Sequence, residues 1–301
     1  MKHKGDKVDG WLVIDKVAGM GSTQVVGKTR HLLHASKNGH CGTLDPFATG
    51  VLPIAFGEAT KLIPYVTDGD KEYEFWLKFG SETDSLDCDG NIITEGGKIP
   101  TEKEVKDVLP LFLGEIVQIP PAYSAIKIEG KRAYDLVRNG QEVKIPERKI
   151  CVYELNLLDM PESDIAHCKV RCSKGTYVRT LGADIAKKLG TIGYLTALRR
   201  TKCGIFDLSC TILLENLEKI EYVGERQKEL LSVITCLRDI VDIAVTEADA
   251  AKLKQGQGVS PKNYQVSHLI GKEVSATCNG NLVAMVRIED TRISPVRVFN
   301  F

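Results

Sequence analysis

Hydrophobic and polar positions along the chain follow two periods. In "KEYEFWLKFG" (71–80), Tyr73, Phe75, Leu77 and Phe79 alternate with Glu72, Glu74 and Lys78, which predicts a strand with one packed face. "WLVID" (11–15) is a short apolar strand, and "ICVYELNLLDM" and "IAHCKVRCS" are two more. A helical period appears after "KVAGMG", where Ser22 is placed to cap a helix running to about His34, with Val25, Val26, Thr29, Leu32 and Leu33 buried. A second helix runs through "TEKEVKDVLPLFLG" and is broken or ended near Pro110. A third occupies "TLGADIAKKLG", with Leu181, Ile185 and Leu189 four apart and Gly190 as its C-cap. Strands and helices intermix without regular alternation, so an α+β or mixed-sheet fold is expected rather than a doubly wound parallel one.

The pattern changes from about residue 242. "DIAVT" reads as a strand and "EADAAKLKQG" as a helix closed by Gly256. "EVSATCNGNLVAMVRIEDTRISPVRVF" then reads as strand, Asn-Gly turn, strand, turn, strand. This predicts a small, mostly β module after the main domain.

Composition narrows the function classes. The chain has 301 residues, 43% of them hydrophobic and 27% charged, and no apolar run approaches the ~20 residues a bilayer requires. Its opening, "MKHKGDKVDGWLVIDK", lacks a signal-peptide core, so a cytoplasmic protein is expected. The nine cysteines include no C-x-x-C pair, which argues against structural zinc and predicts reduced thiols. Lys plus Arg equals Asp plus Glu, 40 against 40, so any attraction to nucleic acid must come from clustering. One such cluster lies in "AIKIEGKRAYDLVRNGQEVKIPERK" (125–149), where cations outnumber anions. From charge alone it reads as a solvated face.

Two motifs nearly match known chemistry. "GSTQVVGKT" follows a strand and opens a helix, as a phosphate-binding loop does, but five residues rather than four separate Gly21 from Gly27. "TDSLDCDGN" puts Asp87, Asp89 and Gly90 in calcium-loop register, yet Ser85 and Gly96 stand where the first and last ligands belong. It reads as an acidic turn.

The least ordinary stretch is "GHCGTLDPFATGVLP" (39–53), a lone carboxylate, Asp45, surrounded by Gly39, Gly42 and Gly50. Asp-Pro pairs commonly start turns, but the glycines also permit close approach of another chain or a ligand. His40 and Cys41 are adjacent, which disfavours a Cys–His catalytic pair, and the spacing is irregular for a metal. Arg179 is the second anomaly. With Thr180 capping the following helix, it sits at the positive helix end and calls for a carboxylate, which either Asp45 or Asp184 can supply.

Five stretches occur in order: "GHCGTLDPFATGVLP", "KEYEFWLKFG" with "TDSLDCDG", "YSAIKIEGKRAYDLVRNG", "CSKGTYVRTLGADI" and "LTALRRTKCG". Together they resemble the bacterial tRNA pseudouridine synthase B (TruB) family from about residue 9 to 215. The tail ending "ISPVRVF" is similar, more loosely, to that family's PUA-like RNA-binding domain. One departure is Val17, where the family usually has proline, which bears on loop stiffness.

The resemblance implies an α+β fold with a mixed, largely antiparallel sheet. It further implies a catalytic domain over 1–240 with an RNA-gripping insertion at about 124–149, and a PUA-like domain over 241–301. The implied activity is isomerisation of the T-loop uridine at tRNA position 55, by base flipping and an aspartate nucleophile, without metal or nucleotide cofactor. Asp45 matches the nucleophile, Arg179 the arginine paired with it, and Tyr73 the tyrosine that stacks on the flipped base. His40 matches the histidine entering the T-loop, Tyr177 and Leu198 the uracil-pocket wall, and Asp87 an aspartate near the base. Lys127, Lys131 and Arg132 fall in the insertion that grips T-arm phosphates, and the glycines around Asp45 are expected to admit RNA. The expected partner is the T-arm of tRNA, with no membrane and no obligate protein partner, the enzyme acting as a monomer. Three other readings compete: a nucleotide-dependent kinase or ATPase, an RNA-binding module without catalysis, and a glycosidase, which lacks an evident second carboxylate.

Overall fold

A computed structural model describes residues 5–121, 123, 127–128, 131–132 and 145–301. The first strands are β1 Gly10–Lys16, β2 Asn38–His40, β3 Thr49–Phe56, β4 Lys71–Phe79, β5 Ser81–Thr83 and β6 Ile92–Glu95. They are followed by β7 Gly114–Gln118, β8 Lys127–Ile128, β9 Lys131–Arg132, β10 Arg148–Glu162, β11 Ile165–Cys172 and β12 Gly193–Cys203. The last six are β13 Phe206–Asp207, β14 Ile212–Leu213, β15 Asp242–Ala244, β16 Glu273–Cys278, β17 Asn281–Ile288 and β18 Ile293–Val298.

Ten strands form one sheet in the order β14-β1-β3-β12-β4-β11-β10-β7, with β13 on β12 and β2 on β3. Only β1–β14 and β3–β12 run parallel within it, so the fold is α+β with a mixed, largely antiparallel sheet, as predicted. β4 sits between β11 and β12, and Tyr73, Phe75, Leu77 and Phe79 are buried on one face, as the alternation requires. β1 and β3 are buried on both faces. Leu12, Ile14, Leu52 and Ile54 point into one core, and Trp11, Val13, Val51 and Ala55 into another. That double burial explains why both read as continuous apolar runs rather than alternating ones.

β15 to β18 form a second sheet, closed on its own core of Ile243, Leu253, Val274, Ala284 and Ile293 among others. The hairpin turn predicted at Asn-Gly is present, with Asn279 and Gly280 both at positive φ (51° and 76°). From this unit Leu282, Met285 and Phe299 enter the second core behind β1 and β3. Each fully buried side chain of this kind contributes ~1.5–3 kcal/mol, which outweighs the rim hydrogen bond from Tyr65 to Glu273. Apolar contact is therefore what fixes the second sheet against the first. Among the described residues, no helix is long and apolar enough to cross a membrane.

Two helix starts differ from expectation. Gly21, not Ser22, is the N-cap of the Ser22–Leu32 helix, with the Gln24 side chain accepting from its backbone N–H. The Ser22 hydroxyl instead turns inward to Leu44. The helix carrying Arg179 spans Val178–Lys188 with Tyr177 as N-cap, so it begins before Thr180, and Arg179 lies in its first turn. The residues between Gly21 and Gly27 are helical, so no phosphate-cradling loop forms there.

Glycine positions separate two kinds of requirement. Gly50 has φ +99°, and a Cβ there would lie 2.2 Å from the Arg200 carbonyl oxygen. Gly27 lies inside an exposed helix with nothing near a hypothetical Cβ. Gly50→Ala is expected to cost ~2 kcal/mol or more in urea unfolding, and Gly27→Ala to gain ~0.5–1 kcal/mol. Equal midpoints for the two variants would contradict this reading.

Candidate active site

Asp45 stands in the loop between β2 and β3, and three buried side chains from elsewhere hold that loop by its carbonyls. Arg200 of β12 donates to Gly42 O (3.2 Å), Thr43 O (3.4 Å) and Val51 O (2.8 Å). Lys16, at the end of β1, donates through Nζ to Pro46 O (3.0 Å), Val17 O (2.9 Å) and Met20 O (2.8 Å). Ser22 Oγ donates to Leu44 O (2.9 Å) and accepts from Leu44 N (2.8 Å). The carbonyls of residues 42, 43, 44 and 46 are thus all engaged, and the carboxylate is fixed in place through its backbone. Burial lowers the Lys16 ammonium to about 8, and the nearby Asp45 charge works against that shift.

The carboxylate itself meets one cation. Arg179 is 3% exposed, and its Nε lies 3.0 Å from Asp45 Oδ2. The Nε–H is not aimed along that contact, so the pair is ionic without a formed hydrogen bond. Three further hydrogen bonds hold the guanidinium. Nη1 donates to Asp87 Oδ2 (2.9 Å) and Ser85 O (2.8 Å), and Nη2 to Tyr123 O (2.8 Å). Asp87 also accepts from Ser85 Oγ (2.6 Å) and Asp89 N (3.1 Å) through Oδ1. Asp87 is therefore saturated and buried, whereas a third of the Asp45 side chain reaches solvent. Burial of the remainder pushes the Asp45 carboxyl above its ordinary value, Arg179 and Lys16 oppose this, and Asp87 adds to it.

A cavity of about 230 Å³ opens in front of Asp45 and is lined also by Tyr73, Tyr177, Arg179 and Leu198. The five residues come from the 42–48 loop, β4, the 173–178 turn, the Val178–Lys188 helix and β12, brought together by the strand order β3-β12-β4. Tyr73 faces Arg200 across β4 and β12, and burial pushes its phenol well above the usual value. Tyr177 is held through its backbone by Gln118, whose side chain both donates to Tyr177 O (3.3 Å) and accepts from Tyr177 N (3.1 Å). The Arg148 guanidinium lies 5.4 Å from the Tyr177 ring centroid. An aromatic wall, one accessible carboxylate and surrounding cations suit a flat, polar, anionic ligand.

The other expected residues are placed differently. Asp87 lines not the first cavity but a second one of about 430 Å³, which shares Asp45 and Arg179 with it. His40 ends β2 and lines neither cavity; its Nδ1 is buried with no hydrogen-bond partner among the described residues, and burial with the Arg200 charge lowers its pKa. Of the basic segment, the backbone of Lys127, Lys131 and Arg132 forms the β8–β9 hairpin, while their side chains lie outside the described residues. The glycines also meet demands of the protein's own backbone, and Gly42 lines the first cavity. Gly42 has φ +84°, Gly50 abuts the Arg200 backbone, and a Cβ at Gly39 would meet Ile63 at 3.0 Å.

Lys16 and Arg200 were not singled out from the sequence, and Ser22 was read only as a helix cap. A signal for Arg200 existed: in "LTALRRTKC" it shares strand parity with Leu198, so the alternation places it on the buried face. Ser22→Ala is expected to lower stability by ~1–3 kcal/mol, because Leu44 N–H and C=O are left buried and unpaired, while Thr23→Ala beside it stays within ~0.5 kcal/mol. Equal unfolding midpoints would show that Ser22 does not hold the loop.

Comparison with known proteins identifies relatives of the whole chain. The TruB family pseudouridylate synthase N-terminal domain matches residues 30–178, and the tRNA pseudouridylate synthase B C-terminal domain matches residues 179–242. The chain is 43% identical over 304 residues to tRNA pseudouridine synthase B of Caulobacter vibrioides, covering 99% of this chain and 98% of that one. It is 41% identical over 307 residues to the protein of the same name from Rhodospirillum rubrum, covering 99% of each. Among solved structures, the fold resembles a chain of a Cbf5–Nop10–Gar1 complex with a TM-score of 0.73 at 24% identity, covering 97% of this chain and 84% of that one. A Nop10–Cbf5 complex gives the same score at 21% identity, covering 98% and 87%.

Proposed function

Since the chain belongs to the TruB family of pseudouridylate synthases, we propose that it isomerises the T-loop uridine at position 55 of tRNA to pseudouridine, with Asp45 as nucleophile. The observation that carries this reading is Asp45, among the described residues the one carboxylate lining the first cavity, ion-paired to Arg179 and facing aromatic side chains. Pseudouridine formation changes no oxidation state. The bond from uracil N1 to ribose breaks, the base turns, ribose bonds to C5, and the proton lost from C5 is balanced by one taken up at N1. Asp45 attacks the nucleotide and keeps its fragments together while the base turns.

A uridine stacked in an RNA loop must leave the stack before it can reach Asp45, at a cost of roughly a few kcal/mol. Stacking on an aromatic face returns ~1–3 kcal/mol per base, and Tyr73 supplies that face. Tyr177 and Leu198 wall the uracil pocket. Arg179 stabilises the ionised form of Asp45 and fixes its direction, while Asp87 positions Arg179. His40 meets the T-loop, and Lys127, Lys131 and Arg132 neutralise T-arm phosphates. The catalytic part spans 1–240, and 241–301 is a PUA-like RNA-binding domain; a separate sheet with its own core supports that division. Against a glycosidase stands Asp87, the carboxylate that shares Arg179 with Asp45, whose oxygens accept from Arg179, Ser85 and Asp89.

Asp45→Asn is expected to abolish single-turnover product formation on a tRNA transcript while changing the tRNA Kd by about threefold or less. Appreciable turnover by this variant would remove Asp45 from the nucleophile's role. Because the attacking group must be ionised and its pKa is raised, the wild-type rate should fall on acidification at a pH above the ordinary carboxyl value of 3.8. A pH profile whose acid limb lies at or below that value would contradict the assignment.

A further inference from the structure

Five cations line the Asp45 cavity, Lys71, Arg148, Lys174, Arg179 and Arg200, against one carboxylate among the described residues, Asp45 itself. Four of the five are held by the protein. Lys71 Nζ donates to the carbonyls of Thr67 and Gly69, and Lys174 Nζ to Asp68 Oδ1 (2.8 Å). Arg179 meets Asp45 and Asp87, and Arg200 meets three backbone carbonyls. Arg148 is different. It opens β10 opposite Gln118 of β7 and is half-buried. Among the described residues it meets no carboxylate, and its one hydrogen bond, from Nη1 to Gly175 O, is long at 3.4 Å. The guanidinium lies 5.4 Å from the Tyr177 ring centroid, so its remaining N–H donors stand beside the wall of the cavity. A guanidinium with free donors matches the oxygens of a phosphate, which it can take in two parallel bonds.

We infer that Arg148 anchors the target nucleotide itself: its free donors bind a phosphate adjoining the flipped uridine, while the Tyr177 ring holds the guanidinium in place. A base seated against Tyr177 and Leu198 stays joined to the RNA by a phosphate on each side of its ribose, and a partly exposed cation lining the same cavity is placed to meet one of them. This rests on the proposed function and goes beyond it, since Lys127, Lys131 and Arg132 are assigned there to the T-arm and Arg148 here to the nucleotide in the cavity. It also accounts for the imbalance of charge. The other four cations fix protein groups in place, and the substrate supplies the anion that Arg148 lacks.

The test pairs a change in the protein with a change in the RNA. Kd is measured for T-arm hairpins in which the phosphate on the 5′ or the 3′ side of the target uridine is replaced by a neutral methylphosphonate. The 2′-hydroxyl next to that linkage is methylated in modified and control RNA alike. For the wild type, one of the two replacements is expected to weaken binding by about fivefold or more. Arg148→Gln should weaken binding of the control RNA by a similar factor and flatten the slope of log Kd against log salt by about 0.7–0.9. The same neutral linkage should then cost this variant about twofold or less. At saturating enzyme the variant should convert an unmodified hairpin within about threefold of the wild-type rate. Wild-type binding unchanged by both neutral linkages would overturn the inference. So would a loss confined to the saturated rate, or a neutral linkage that weakens the variant as much as the wild type, which is the outcome if Arg148 only covers Tyr177. If Arg148→Gln does not fold, Arg148→Met, which keeps an apolar stem over the Tyr177 ring, carries the same comparison. A wild-type enzyme that binds the unmodified hairpin but forms no pseudouridine would sink the proposed function, while the linkage comparison would continue to test the contact.

Discussion

The site depends on one guanidinium shared between two aspartates. Arg179 contacts Asp45 and Asp87 at 3.0 and 2.9 Å and also donates to the Ser85 and Tyr123 carbonyls. That arrangement joins three segments far apart in sequence: the 42–48 loop, the acidic turn at 84–91 and the Val178–Lys188 helix. It also treats the two carboxylates unequally. Asp87 is buried and consumed by hydrogen bonds, so it anchors; Asp45 is partly open and held only by charge, so its oxygens stay available. Removing a partner from a buried pair of this kind typically costs ~3–5 kcal/mol, which makes Arg179 a poor residue for separating catalysis from folding.

Around this pair the fold invests buried cations in backbone rather than in salt bridges. Lys16 and Arg200 each donate to three carbonyls, and between them they grip both sides of Asp45. Carbonyl dipoles offset only part of the desolvation cost, as the lowering of Lys16 to about 8 indicates. The gain is placement. A loop with no regular hydrogen-bond ladder becomes as fixed as the strands on either side, and the carboxylate needs no hydrogen bonds of its own to hold its direction.

Much of the fold was legible because β4 and the tail hairpin obey simple rules. Alternation at 71–79 gave a strand with the correct buried face, and Asn279-Gly280 gave the turn. The two helix starts were less legible, since Gly21 and Ser22 are both acceptable caps and only Leu44, distant in sequence, decides which way the serine turns. The glycines near Asp45 were assigned to ligand access; the further demands on them, a positive φ at Gly42 and the Arg200 backbone against Gly50, are tertiary facts that local sequence does not carry. Arg200 was passed over for the opposite reason: a charged residue in a strand suggests solvent, and parity with Leu198 was the sign that it points inward. The meeting of Asp45 with Arg179 was one of two open pairings in the sequence, and strand order, not spacing, brings them together.

The most direct test of the central claim uses tRNA transcripts tritiated at uridine C5, incubated with the enzyme without added metal or nucleotide. Bond formation at C5 must expel that hydrogen. The account predicts tritium release equivalent to one uridine per tRNA, abolished when the T-loop uridine at position 55 is replaced by cytidine. Tight tRNA binding with no release, or release that persists after that replacement, would contradict it.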